Sequence, residues 1–262
     1  MREVFTMWRH TKMVVLVGLT AGAYAAVLIP LKGIPLIPGY TEFRPANAIP
    51  VVFSLLFGPA VAWGTAFGNL IGDLFGTLGL GSIGGFVGNF FYGYVPYKVW
   101  GHMGIFSAGG PLDSRTPRAL LEHGLVALLA SAACAAIVGF GTDVLGLVPF
   151  GVLASVIALN NLLAAGILGP LLLWLLYPRA RRWDILWTDV MDAAQTARPP
   201  RAGVGVVLMW VGGLGALVAG ILVSTGLYAA LPFTFGTGAS GPGVVAAVLP
   251  LLVVFAIGCW LA

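Results

Sequence analysis

MVVLVGLTAGAYAAVLIPL, residues 13–31, contains no charged side chain. A helix of that length rises about 28 Å, close to the roughly 30 Å hydrocarbon thickness of a bilayer. Seven more apolar segments follow, at about Ala46–Gly58, Ala60–Leu78, Ser82–Trp100, Ala119–Val144, Val148–Tyr177, Val204–Leu231 and Gly243–Leu261. The second is too short for a full span and lies among Pro45, Pro50 and Pro59. The apolar start is long and is followed by further spans, which argues against a cleaved signal peptide.

Composition agrees. Charged residues make up 8% of the 262, hydrophobic residues 59%, and mean hydropathy is +1.00, whereas a soluble domain carries about 25% charged residues. The 38 glycines suit close helix packing where lipid supplies no hydrophobic drive. The expected fold class is therefore an all-α integral membrane protein. The two cysteines, Cys134 and Cys259, sit in separate apolar runs and offer neither a disulfide framework nor metal-ligand spacing.

The basic residues fix an orientation. With a cytoplasmic N-terminus, eleven of them fall inside (Arg2, Arg9, Lys12, Lys98, Arg115, Arg118, Arg179, Arg181, Arg182, Arg198 and Arg201), and only Lys32 and Arg44 fall outside. That positive-inside bias places both termini in the cytoplasm and accounts for the net charge of +4, so no nucleic-acid partner is inferred. The polar stretch Pro178–Arg201 carries Trp183, Leu186, Trp187, Val190 and Ala194 at helical spacing. It predicts an amphipathic helix on the cytoplasmic interface, or a docking element for a cytoplasmic partner.

Polar side chains inside apolar spans are costly unless they face protein or water. Gly64, Gly68, Gly72 and Gly76 recur every four residues as a packing ridge, and Thr65, Asn69 and Asp73 form a polar stripe beside it. Asp73 is open to three readings: a contact to substrate, a tie between helices with Arg44 as partner, or an ion site. Asn89, Tyr92 and the pair Asn160–Asn161 add further polar groups, each an interhelical hydrogen bond or a ligand contact. The segment LKGIPLIPGYTEFRPANAIP, residues 31–50, runs from an outside loop into a short broken helix, the pattern that marks transporter binding sites. Tyr40 and Phe43 are placed to stack on a flat ligand, and Glu42, Arg44 and Asn47 to hydrogen-bond it. The other reading is a rigid connector.

Two motif matches carry no function. Gly79–Gly84 fits GxGxxG but follows no strand. Gly238-Ala239-Ser240-Gly241 has the form of a rhomboid-protease serine motif, yet all three histidines lie on the opposite side. No P-loop is present, and no cofactor or metal is expected.

Thr20-Ala21-Gly22-Ala23-Tyr24-Ala25-Ala26, Glu42-Phe43-Arg44-Pro45-Ala46-Asn47-Ala48, the Gly58-Pro59 turn and Gly68-Asn69-Leu70-Ile71-Gly72-Asp73-Leu74-Phe75-Gly76 follow in order. This order resembles the substrate-binding S components of energy-coupling factor (ECF) transporters, of the queuosine-precursor-transporter-like kind, over roughly residues 10–178. The resemblance implies a six-span S-component-like core (1–178), followed by the interfacial linker (179–202) and a two-helix extension (203–262) outside the usual pattern. It further implies a high-affinity binder of a vitamin-like or nucleobase-like micronutrient in a prokaryotic inner (plasma) membrane. Transport would be energised by a scaffold subunit and two ABC-type ATPases. Ala21 and Ala25 would dock on the scaffold. The loop Glu42–Asn47 with Asn69, Asp73 and Asn89 would form the pocket, and Tyr40, Tyr92 and Asn160 complete the candidate set. An ion-coupled transporter and a structural membrane subunit remain alternatives. No nucleophile–base pair or metal cluster favours an enzyme.

Overall fold

The computed structural model describes residues 1–37, 40–42, 44–113, 115–197, 199–226 and 242–262. Phe43 and the Gly238–Gly241 motif lie outside the described residues, as does the end of the span expected at Val204–Leu231. A one-turn helix α1 (Glu3–Thr6) leads into α2 (Thr11–Leu28). A two-stranded antiparallel hairpin follows, β1 (Pro35–Ile37) with β2 (Thr41–Glu42). Next come α3 (Ala48–Phe57), α4 (Pro59–Asp73), α5 (Gly81–Val99), α6 (Pro117–Val144) and α7 (Phe150–Leu163). A π-turn at Ala164–Leu168 joins α7 to α8 (Gly169–Arg182). The short helices α9 (Trp187–Val190) and α10 (Ala193–Thr196) precede α11 (Ala202–Ser224) and α12 (Pro242–Leu261).

Among the described residues, five helical stretches are long and apolar enough to cross a membrane: Thr11–Leu31, Pro117–Val144, Phe150–Val190, Ala202–Ser224 and Gly243–Leu261. The all-α membrane fold expected from composition is what the chain adopts. The short broken segment is present too, with Pro50 in the first turn of α3, where its missing N–H costs little.

Small residues set the packing. A Cβ on Gly64 would lie 2.5 Å from the Thr20 Cβ, and one on Gly68 would lie 2.9 Å from the Ala21 carbonyl, so α4 is seated directly on α2. Gly93 meets the Val61 carbonyl in the same way, joining α5 to α4. The alanine-rich middle of α6 (Ala130, Ala132, Ala133, Ala135 and Ala136) is fully buried. It lets α5, α7 and α11 approach together. Gly205 and Gly212 on α11 press against the backbone of α12.

Two expectations are corrected here. Ala21 and Ala25 are buried, 7% and 4% exposed, because the glycine ridge of α4 occupies that face of α2. The small residues that α2 leaves open are instead Gly18, Gly22 and Ala26. The interfacial segment is not one amphipathic helix. It breaks at Asp184, which has φ +49°, and at Leu186 and Met191, which are extended. Leaving the helical path lets Met191 enter the core. It also sets the Trp187 indole against Gly58, where a Cβ would sit 2.5 Å from its Cγ. Gly58 itself has φ +54°, a conformation suited to glycine.

Candidate functional site

The hairpin, the α4–α5 turn and the α6–α7 turn meet at one end of the bundle, where they surround a cavity of about 320 Å³. This is within the size range of small-molecule sites. The polar stripe of α4 supplies one wall. Asn69 and Asp73 lie one turn apart, and the Asn69 amide donates to Asp73 Oδ2 at 3.2 Å. Arg44, entering from the segment after β2, donates from Nη1 to Asn69 Oδ1 at 3.0 Å. The Thr77 hydroxyl donates to Asp73 Oδ1 at 3.0 Å. A guanidinium and a carboxylate are thus joined through one amide, both lining the cavity. In a site of low dielectric such groups discriminate strongly, because a ligand lacking the matching group leaves them unpaired.

The floor is built from amides. Asn47, 2% exposed, accepts from the Tyr24 hydroxyl at 2.6 Å and donates to Asn161 Oδ1. Asn89 donates to the Gly85 carbonyl one turn back on α5, at 2.9 Å, and its Oδ1 lies 3.3 Å from the Tyr24 hydroxyl. Thr65, the inner member of the stripe, is fully buried and donates to the Asn89 carbonyl at 2.8 Å, pinning α5 to α4 behind the floor.

Of the residues expected at the site, Tyr40, Arg44, Asn47, Asn69, Asp73 and Asn89 line this one cavity. Two are displaced from it. Tyr92 is fully buried behind the floor, where its hydroxyl donates to the Asn47 carbonyl at 2.8 Å. Asn160 faces the other way and accepts from the Arg44 backbone N–H at 3.2 Å, while its neighbour Asn161 lines the cavity. Adjacent residues on a helix point about 100° apart, so only one of the pair reaches the pocket. For Glu42 only the backbone is described.

Sequence reasoning missed several contributors. Thr77 extends the four-residue stripe of Thr65, Asn69 and Asp73, so that spacing held a signal for it. The α4–α5 turn, residues 76–82, forms part of the cavity rim and overlaps the Gly79–Gly84 stretch set aside as a nucleotide motif. Cys134, which offered neither a disulfide nor a metal-ligand pattern, is buried yet touches the cavity. Tyr24 carried no signal at all. Among the described residues no cluster of His, Cys, Asp or Glu suits a metal ion.

The described residues thus form an all-α membrane bundle with a polar cavity of small-molecule size at one end, lined by the Arg44 cation and the Asp73 carboxylate. The family model described as QueT transporter matches residues 14–178, well over half of the chain, and the protein belongs to that family. The match contains every residue of the cavity wall and stops within α8, before α9–α12. Membership points to a transport role rather than catalysis, as a substrate-binding component of a multi-pass membrane transporter. No curated protein and no solved structure matches the chain.

Proposed function

We propose that this protein is the membrane-embedded binding subunit for uptake of a vitamin-like or nucleobase-like micronutrient, with transport energised by separate scaffold and ATPase subunits. The observation that carries the reading is the Arg44–Asn69–Asp73 chain on the cavity wall. It offers a cation, an amide and a carboxylate to one enclosed solute, a set suited to a planar heterocycle with mixed donors and acceptors. The excess of Arg and Lys at the opposite end of the bundle supports a cavity that opens outside and termini that lie in the cytoplasm. For the scaffold contact, the open Gly18–Gly22–Ala26 face of α2 takes the place that the family resemblance gave to Ala21 and Ala25.

Native mass spectrometry of the gently purified chain tests this. A co-purifying species of vitamin-like mass is expected on the wild type. Its occupancy should fall at least about ten-fold in Asp73→Asn, the size of a lost charge-assisted hydrogen bond. Equal occupancy in both proteins would remove Asp73 from the site. A folded chain that binds nothing from a vitamin and nucleobase panel would favour a structural role.

A further inference from the structure

Tyr24 is fully buried and does not line the cavity, yet its hydroxyl meets two residues that do. It lies 2.6 Å from Asn47 Oδ1 and 3.3 Å from Asn89 Oδ1. A phenol has one proton, so Asn47 receives it and Asn89 holds a weaker share. Neither amide can turn over to compensate. The Asn47 nitrogen is committed to Asn161 and the Asn89 nitrogen to the Gly85 carbonyl. The aromatic ring is held separately, packed with Leu28 and Ala46, so packing and hydrogen bonding at this residue can be divided by experiment.

We propose that Tyr24 is the positioning residue of the pocket floor: its hydroxyl locks the Asn47 and Asn89 amides in one orientation and ties the floor to α2. The floor is then as rigid as the seat of α2 on α4, and a shift of α2 along its axis loosens the pocket without touching a solute. This holds whichever solute the pocket takes, and its test needs neither solute nor partner.

Cys134 is the reporter. It touches the cavity, its Sγ lies 3.6 Å from where a Cβ on Gly88 would be, next to Asn89, and Cys259→Ser leaves it as the sole thiol of the chain. The full chain in that background is treated with 2-aminoethyl methanethiosulfonate, and modification of Cys134 is followed by intact mass, alongside the melting temperature. Tyr24→Phe keeps the ring and removes the hydroxyl. It should speed modification at least about five-fold, in line with one net hydrogen bond. Ser54→Ala is the control for a purely structural loss. Its hydroxyl donates to the Gly93 carbonyl at 2.6 Å, away from the floor, and its rate should stay within two-fold of the parent. An unchanged rate in Tyr24→Phe, or an equal rise in Ser54→Ala, overturns the proposal. Should Tyr24→Phe not fold, Asn47→Ala removes the acceptor from the other side, and an unchanged rate there overturns it equally.

Discussion

Glu3 and Lys98 show how much a single pair decides at the end of the bundle away from the cavity. Glu3 Oε1 lies 2.8 Å from Lys98 Nζ and accepts from the Tyr97 hydroxyl at 3.0 Å. Burial pushes the Glu3 carboxyl up, but Lys98 and the hydrogen bond it donates outweigh that and hold it below the usual carboxylate range. A carboxylate with a depressed native value stabilises the fold above its unfolded value, about 4.3 for glutamate. That contribution is lost as pH falls below this and through the native value, because the unfolded chain takes up the proton first. The melting temperature in detergent should therefore fall as pH drops below about 4.3. Glu3→Gln should flatten that fall and cost about 2 kcal/mol at neutral pH by leaving the partly buried Lys98 beside a neutral group. An acid profile identical to wild type would show that the pair does not set it.

At the scale of elements, α2 presents two faces of small residues with opposite fates. Gly64 of α4 presses on Thr20 and on the Val17 carbonyl, with 2.5 and 3.0 Å left for a Cβ. Gly64→Val should destabilise the chain by about 1–3 kcal/mol through overpacking, seen as a lower melting temperature. Gly22 has no atom within 4 Å of a Cβ. Gly22→Leu should leave melting and solute binding as they are while abolishing uptake in cells that carry the whole transporter. If uptake survives Gly22→Leu, the open face of α2 is not the docking surface. The i,i+4 spacing of small residues was legible in the sequence. Which of two interleaved stripes faces inward was not, because both satisfy the same period and the choice depends on where α4 lies.

For the whole molecule, the two C-terminal helices are fastened to the family core at both ends of the bundle. Tyr94 donates to the Cys259 carbonyl at 2.8 Å and Lys98 to the Ala262 carbonyl at 2.9 Å. At the cavity end Ser224 Oγ accepts from the Gly151 N–H at 2.9 Å. The described helices α11 and α12 are therefore packed against the core, although the family match ends at residue 178. Deleting 203–262 should lower the melting temperature by about 5–10 °C, from lost buried hydrogen bonds worth about 1 kcal/mol each and a few degrees apiece. A truncated chain that melts with the full one would make the extension an independent attachment.

By itself the sequence determined the solvent this protein folds in, five of its expected membrane-crossing helices, and the polar stripe of α4, because those follow from local hydropathy and from the 3.6-residue period. Six of the expected site residues meet in one cavity for the same reason: an intramembrane polar group is too costly to lie anywhere but inside. Tertiary structure alone decided that Asn161 rather than Asn160 lines the pocket, that Tyr24 stands behind it, and that residues 183–197 fold over Gly58 instead of forming one helix. Those outcomes depend on the rotation and seating of helices about their neighbours. Close packing between residues far apart in the chain fixes that rotation, and no short stretch of sequence encodes it.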